Sequence, residues 1–504
     1  MAKRNFDSEF CGSLPLNNVN LIQDYGYLIV TDRADMTIVQ LSENAEDVLG
    51  NTPEQLINSQ LSEFLHPSSY QAISELASAH ASSRIPVTIT FADNQTRSAL
   101  LHLKPEYLIF EIEGRIHSNT RYLTSVLSEV QAAIIAIEGA GSLQAVSEAA
   151  ISELKKMSGF DGVLMYQFDK DWNGKVIAEE KTAKLESYLG QTFPASDIPK
   201  QARELYLKNP YRQIPKRDFQ PVSLYPVVNP LTDGFLDLSD CNLRSVPSVH
   251  REYMKNMGIN ASMSIRVLKD GQLWGLISCH HIEPKYIDME MCSIFELLSG
   301  IISSRISDIL SRDANSISNA LQQTRNNIID RLYHKKSLGD ALFNDSKTNL
   351  LNLFSLSGAV LCFDQERIIS GDVPDSNFVE ELLLWIDNKK LQGLFHTDHL
   401  SELLEESQFY KKQASGLLVI PIDPGNSEYL LCFRPEIEGT IDWGGNPNEA
   451  INFEADGKNY HPRNSFKLWK EKVDSFSAPW NAAELDAARD LAVFLARSRK
   501  SRQE

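Results

Sequence analysis

Basic residues are in short supply: 49 Lys and Arg face 67 Asp and Glu, a net charge of -18 at pH 7. A nucleic-acid-binding surface needs clustered Lys and Arg to neutralise phosphates, so that class is disfavoured. No apolar run approaches the roughly 20 residues that span a bilayer. Between Met1 and Leu21, Lys3 and Arg4 are followed by Asp7 and Glu9 rather than by a continuous apolar stretch, which argues against a secretory signal. The six cysteines (11, 241, 279, 292, 362 and 432) form no CxxC or zinc-finger spacing. Neither a disulfide framework nor a metal site is therefore expected, and a reducing cytoplasm suits the chain. Also missing are a glycine-rich nucleotide box, a nucleophile–base motif and any metal-ligand spacing, so the chain is not read as an enzyme.

What is present suits a folded protein, with 42% apolar and 23% charged residues. At 504 residues the chain exceeds one ordinary core, and three domains are expected. Residues 21–117 mix short β-rich runs (Leu28-Ile29-Val30, Thr37-Ile38-Val39, Ile85–Phe91, Tyr107–Ile112) with a helical stretch opening at Ser42, an α+β order. Apolar spacings of three and four predict helices over 121–137 and Leu143–Met157. Strands are predicted at Gly162–Phe168, Lys175–Glu179, Met263–Val267 and Leu273–Cys279. The Pro- and polar-rich stretch between 190 and 250 reads as long loops, where function concentrates. Asp288 to Leu332 lacks proline and lines Ile294, Leu297, Ile301, Ile306, Ile309, Ile317, Leu321, Ile328 and Leu332 along one face. Such a helix runs roughly 65 Å, so it bridges domains or packs on a partner. The final third predicts strands Gly358–Phe363, Gly416–Ile422 and Tyr429–Arg434, then a helix Ala483–Arg499.

The segment Phe193-Pro194-Ala195-Ser196-Asp197-Ile198-Pro199 sets prolines on both sides of an acid. Each proline fixes its own φ, leaving a stiff loop that can aim a carboxylate and main-chain carbonyls at one point. Downstream come Asp240-Cys241-Asn242-Leu243-Arg244-Ser245-Val246-Pro247-Ser248-Val249-His250, then Tyr253-Met254-Lys255-Asn256-Met257-Gly258, then Leu273-Trp274-Gly275-Leu276-Ile277-Ser278-Cys279-His280-His281. In this order and at these distances the runs resemble the chromophore-binding GAF domain of phytochromes. Ile22-Gln23 to Gly26, with Ser42-Glu43-Asn44, resembles the family's N-terminal PAS domain. Trp443-Gly444-Gly445-Asn446-Pro447 and Pro462-Arg463-Asn464-Ser465-Phe466 resemble the hairpin tongue of its PHY domain. One departure is Asp24-Tyr25, where the family often has Pro-His. The resemblance is to bacterial phytochromes and covers roughly residues 11–500.

It implies three tandem α+β sensor domains joined by long helices. These are an N-terminal segment 1–20, a PAS domain 21–120, a GAF domain 121–305 and a PHY domain 306–504 with a tongue at about 435–475. The family also threads its N-terminal segment through a GAF loop as a knot, against the usual rule. The implied cofactor is biliverdin IXα, held by a thioether. Plant and cyanobacterial phytochromes attach their bilin through a cysteine just before the histidine matching His250; here Val249 stands there, and Cys11 takes the place used by bacterial phytochromes. Arg212 and Arg244, with Tyr206, match the clamp for the B-ring propionate, and Ser262 and Ser264 with His250 match the C-ring side. The main-chain carbonyl of Asp197 and a water held by His250 would accept the pyrrole N–H groups. His280 would meet the D-ring carbonyl, with Tyr166, Tyr188, Phe193 and Tyr253 around that ring. Ile198, Pro199 and Met257 complete the expected pocket.

The implied activity is red/far-red light sensing: D-ring isomerisation, refolding of the tongue, and passage of the change along the helices. Asp197 would pair with Arg463 in the red-absorbing state and with Ser465 in the far-red one, with Trp443 a further tongue contact. A homodimer through the helical bundle is expected, as is an output domain beyond Glu504, commonly a two-component histidine kinase acting on a response regulator. No nucleic-acid or membrane partner is expected. The alternative is a GAF-type sensor of a diffusible small ligand such as a nucleotide, with the arginines on a phosphate; Cys11 and the tongue would then have no purpose.

Overall fold

The computed structural model describes residues 16, 19–79, 83–115, 123–334, 337–391, 393–437, 439–447, 451–453, 460–462 and 465–503. Its contacts divide into two units: Met1–Ile309 with Asp442–Trp469, and Leu310–Ile441 with Lys470–Glu504. Both units mix helix and sheet throughout, the α+β class expected.

Among the described residues the first unit holds two large sheets and a two-stranded one, Ile451–Phe453 with Tyr460–Pro462. In one, the strand order is Leu21–Ile22, Val222–Tyr225, Ile38–Ser42, Gly26–Asp32, Tyr107–Glu113, Thr96–Leu103 and Ser83–Thr90. The strand Thr96–Leu103 carries no alternation that would announce it, because its last five residues are all buried on both faces. One face packs Ala99, Leu101 and Leu103 into the apolar core. The other carries His102, whose Nε2 lies 3.0 Å from Glu111 Oε2 and whose Nδ1 lies 3.5 Å from Asp240. Asp240 also takes an ion pair from Lys104 at 2.7 Å. His102 lies far in sequence from the adjacent Asp240 and Cys241, so spacing could not have shown this cluster.

Val222–Tyr225 is a guest in this sheet, and it pairs with Ile38–Ser42 on one edge and Leu21–Ile22 on the other. The free edge of Leu21–Ile22 is taken by residues 243–245: Ser245 N donates to Leu21 O at 3.0 Å and Gln23 N to Leu243 O at 2.7 Å. The entering chain is thus bracketed by two runs of one long loop, an arrangement consistent with the expected knot. Gln23, 1% exposed, donates its side-chain amide to Gln213, Asn242 and Arg244 carbonyls.

The second sheet of this unit runs Tyr211–Ile214, Ala261–Lys269, Gln272–His281, Gly162–Phe168, Gly174–Lys181 and Thr192–Phe193, and Trp443 adds to it by a parallel pairing with Thr192. Gly275 is required there, since a Cβ would sit 2.2 Å from the carbonyl oxygen of Tyr166. The stretch 190–250 is more ordered than long loops would be. It holds the helix Lys200–Lys208 and the strands Tyr211–Ile214 and Val222–Tyr225, and the helix Ser248–Asn256 opens at its end. Nine-residue helices and four-residue strands are too short to display a period.

The helix Met289–His334 is continuous over 46 residues, and the boundary between the two units falls within it. Two residues read as part of its apolar face, Leu297 and Ile317, are exposed. In the second unit the strand order is Glu366–Gly371, Gly358–Phe363, Glu428–Arg434, Gly416–Asp423 and Phe395–Thr397. One face of the sheet packs on Ser376–Asn388 and the other on Ala482–Gln503. Arg434, 2% exposed, joins the end of this sheet to the last helix by an ion pair with Glu484 and lies 3.7 Å from the Trp480 ring centroid. Among the described residues no helix is long and apolar enough to cross a membrane.

Candidate functional site

A cavity opens on one face of the second sheet of the first unit. Side chains two apart on a strand share a face, which brings Leu276, Ser278 and His280 to the cavity together. The register sets Ser262 opposite His280 and Ser264 opposite Ser278, and on the next strand Arg212 opposite Ser264. Tyr166 lies opposite Leu276 on the far side. Above this floor stand Tyr206 of Lys200–Lys208, His250 and Tyr253 of Ser248–Asn256, and Asp197, Ile198 and Pro199 of the loop between prolines. Phe193, Arg244 and Met257 close the wall, and Leu16 and Pro462 also reach it. Residues taken from points scattered over the sequence thus share one cavity. Tyr188 is the exception among the pocket residues expected: it is buried behind Phe193, its ring 5.6 Å away and edge-on.

One end of the cavity is cationic. Arg212 gives its guanidinium to the main-chain carbonyls of Asn242, Arg244 and Ser245. Arg244, 7% exposed, donates from Nη1 to Leu16 O at 2.7 Å, but its Nε is buried without a partner among the described residues. No carboxylate of the described residues forms an ion pair with either arginine. Burial, and then the charge of Arg212, pull the Arg244 guanidinium down to about 9, and burial also lowers Arg212. A buried and a half-buried cation without a counter-ion are costly, and the cost is relieved by an anionic ligand. Tyr206 stands beside them, its phenol pushed up by burial.

The middle and far end are apolar and neutral. Burial, with Arg212 adding, lowers His250 to about 4; burial, with His250 adding, does the same for His280. His250 is exposed by its accessible surface and lines the cavity. Both imidazoles are neutral at pH 7 and can donate and accept. Tyr253 donates to Asp197 Oδ2 at 2.8 Å, and its ring lies 7° from parallel with His250.

His280 is 8% exposed, and its depressed value ties stability to pH. The unfolded imidazole takes a proton near 6.5 while the folded one resists until about 4, so stability falls as pH drops between those values. The loss expected from His280 between pH 7 and pH 5 is about 2 kcal/mol. Chemical denaturation of wild type and His280→Gln at the two pH values checks this: the variant should lose less on acidification, and an equal loss would refute the account.

The tongue residues are partly placed. Trp443 is 5% exposed, and a Cβ on the following Gly444 would come within 2.7 Å of the Phe193 ring, a close approach that suits glycine. Phe466 packs edge-on to Tyr253 with ring centroids 5.0 Å apart. Ser465 is exposed, its Oγ accepting from Lys467 N at 3.4 Å. Arg463 and Cys11 lie outside the described residues. The other five cysteines are all buried and free, with burial raising each thiol: Cys279 to about 12 and Cys362 to about 11. Buried thiols of this kind are poor nucleophiles.

Sequence reasoning missed several participants. Ser278 was legible from alternation with His280. Arg203, 5% exposed, donates to the Ile198 carbonyl at 2.6 Å, and no local pattern distinguishes it from a surface helix arginine.

Comparison with known proteins places these features. The "PAS fold" family model matches residues 11–115, the "GAF domain" model 142–306 and the "Phytochrome region" model 321–504. A bacteriophytochrome of Xanthomonas campestris is 30% identical over 500 residues, covering 97% of this chain and 78% of that protein. Cyanobacterial phytochrome B of Nostoc sp. is 37% identical over 492 residues, 96% of this chain and 65% of that protein. The chain therefore spans less than two thirds of the Nostoc protein's length. The crystal structure of a bacteriophytochrome from R. palustris superposes with a TM-score of 0.84 at 32% identity, covering 98% of this chain and 99% of that one. The Stigmatella aurantiaca phytochrome photosensory core module gives 0.83 at 33% identity, with the same coverage.

Proposed function

Since the chain belongs to the phytochrome family, with PAS, GAF and PHY regions in that order, we propose that it senses red and far-red light through a covalently held biliverdin. The observation that carries this reading is the cavity's polarity: buried, carboxylate-free arginines with an orphaned Arg244 Nε at one end, neutral imidazoles and aromatic rings beyond. That sequence of environments fits a flat apolar tetrapyrrole with acidic side chains. A phosphate ligand would use the arginines alone and leave the apolar remainder unexplained.

When bound, the bilin supplies light absorption and isomerisation of the bridge between its C and D rings. The chain's own residues do the rest. Arg212 and Arg244, with Tyr206, hold the B-ring propionate by charge-assisted hydrogen bonds; Ser262, Ser264 and His250 serve the C-ring one. The main-chain carbonyl of Asp197 and a water on His250 accept pyrrole protons. His280, Tyr166, Phe193 and Tyr253 enclose the D-ring end, with Tyr188 behind. Cys11 supplies the thioether. Leu16 borders the cavity, and five residues of chain span at most about 17 Å, so the thiol is within reach. Arg463, Ser465 and Trp443 couple the pocket to the tongue. The chain acts as an input to a longer signalling protein rather than as a catalyst, with a histidine kinase the expected output. Exposed Leu127, Ile135, Leu297 and Ile317 on its long helices favour a homodimer.

Mixing the purified protein with biliverdin, and separately with nucleotides, tests the reading. A strong, sharpened red band with biliverdin is expected. Nucleotide binding with no red band would overturn it in favour of the diffusible-ligand sensor.

A further inference from the structure

The loop that carries Asp197 is held from outside by two side chains, Arg203 and Asn173, and Arg203 in turn lies over the ring of Trp172. Ala195–Asp197 forms a short helical turn closed by Asp197 N to Pro194 O at 3.0 Å and Ile198 N to Ala195 O at 3.2 Å. Two weak turn bonds hardly fix carbonyl directions by themselves. Arg203, one turn into the following helix, donates from Nη1 to Ile198 O at 2.6 Å and to Ala195 O at 3.4 Å. Its guanidinium lies 4.7 Å from the centroid of the Trp172 ring, a cation–π contact that fixes the plane of the fork. Asn173, next to that tryptophan, accepts Ala195 N on Oδ1 at 3.2 Å.

Trp172 and Asn173 sit in the turn between Gly162–Phe168 and Gly174–Lys181. Asp169 ties this turn: its Oδ1 accepts the N–H groups of Asp171 and Asn173, both at 2.8 Å. Trp172 has φ +65°, a conformation glycine adopts freely and a bulky residue adopts at a cost. Its side chain is 38% exposed, so core packing does not account for keeping it there. Besides a tilted contact with the Phe168 ring, centroids 5.7 Å apart, the residue gains the face it turns to Arg203.

We propose that Trp172, Asn173 and Arg203 form a brace of positioning residues that fixes the main-chain carbonyls of 195–198, and with them the Asp197 carbonyl offered to the pyrrole protons. None of the three touches the cavity. The brace deepens the bilin-pocket reading and rests on it for its consequence, but its mechanical part stands alone. Trp172→Gly tests it without adding backbone strain, and Arg203→Lys keeps the charge while losing the flat fork.

Amide hydrogen exchange on chromophore-free protein reads the loop directly. Asp197 and Ile198 should exchange about tenfold faster in both variants, with the strands of the same sheet unchanged. Trp172→Tyr, which keeps an aromatic face, should restore the protection. On bilin-loaded protein, the pH at which the red band is lost should fall by about one unit. Parent-like exchange in both Trp172→Gly and Arg203→Lys would overturn the brace. Faster exchange with an unmoved titration would remove its link to the pyrrole protons. Should the parent take up no bilin, the pocket reading fails while the exchange comparison still decides the brace.

Discussion

Cys11→Ser will still bind biliverdin but will no longer hold it covalently. The arginine clamp, the imidazoles and the aromatic walls are untouched by the change, so uptake and a red band persist. The thioether alone is lost, and the loss should be complete, because each of the other five thiols is buried, raised by burial and absent from the cavity wall. Val249, which lines the cavity beside His250, offers no sulfur. Zinc-induced fluorescence on a denaturing gel reads the outcome directly. A fluorescent band from Cys11→Ser would show that another cysteine is used and that the assignment is wrong.

The second large effect concerns the centre of the pocket. His250→Ala and Asp197→Ala should each leave most of the chromophore affinity intact while reducing photoconversion several-fold. His250 is neutral at pH 7, held near 4 chiefly by burial, so it can orient a water without adding a third cation beside Arg212 and Arg244. Asp197 accepts the Tyr253 hydroxyl at 2.8 Å, which links the loop between prolines to the ring that also meets Phe466. Removing either residue should also move the pH at which the red band is lost by about one unit or more. Parent-like conversion and titration in both variants would contradict the roles given to them.

The order of motifs was enough to expect the family, and the resemblance it carries named about half of the residues that line the cavity. What escaped notice did so for identifiable physical reasons. Thr96–Leu103 is buried on both faces and so shows no period of two. Val222–Tyr225 finds its partners in strands of the other sheet, nearly two hundred residues away, and nothing local announces that pairing. Arg203 and Trp172 become interesting only when the fold sets a helix against a hairpin turn. Tyr188 was expected at the cavity from the resemblance alone, and the structure sets it edge-on against Phe193, off the cavity lining.

The most direct test of the account is a light-minus-dark difference spectrum of the biliverdin-loaded protein under alternating red and far-red illumination. Two bands that exchange amplitude reversibly over repeated cycles are predicted, with both amplitudes sharply reduced in His250→Ala. A loaded protein whose spectrum stays fixed under both wavelengths would contradict it.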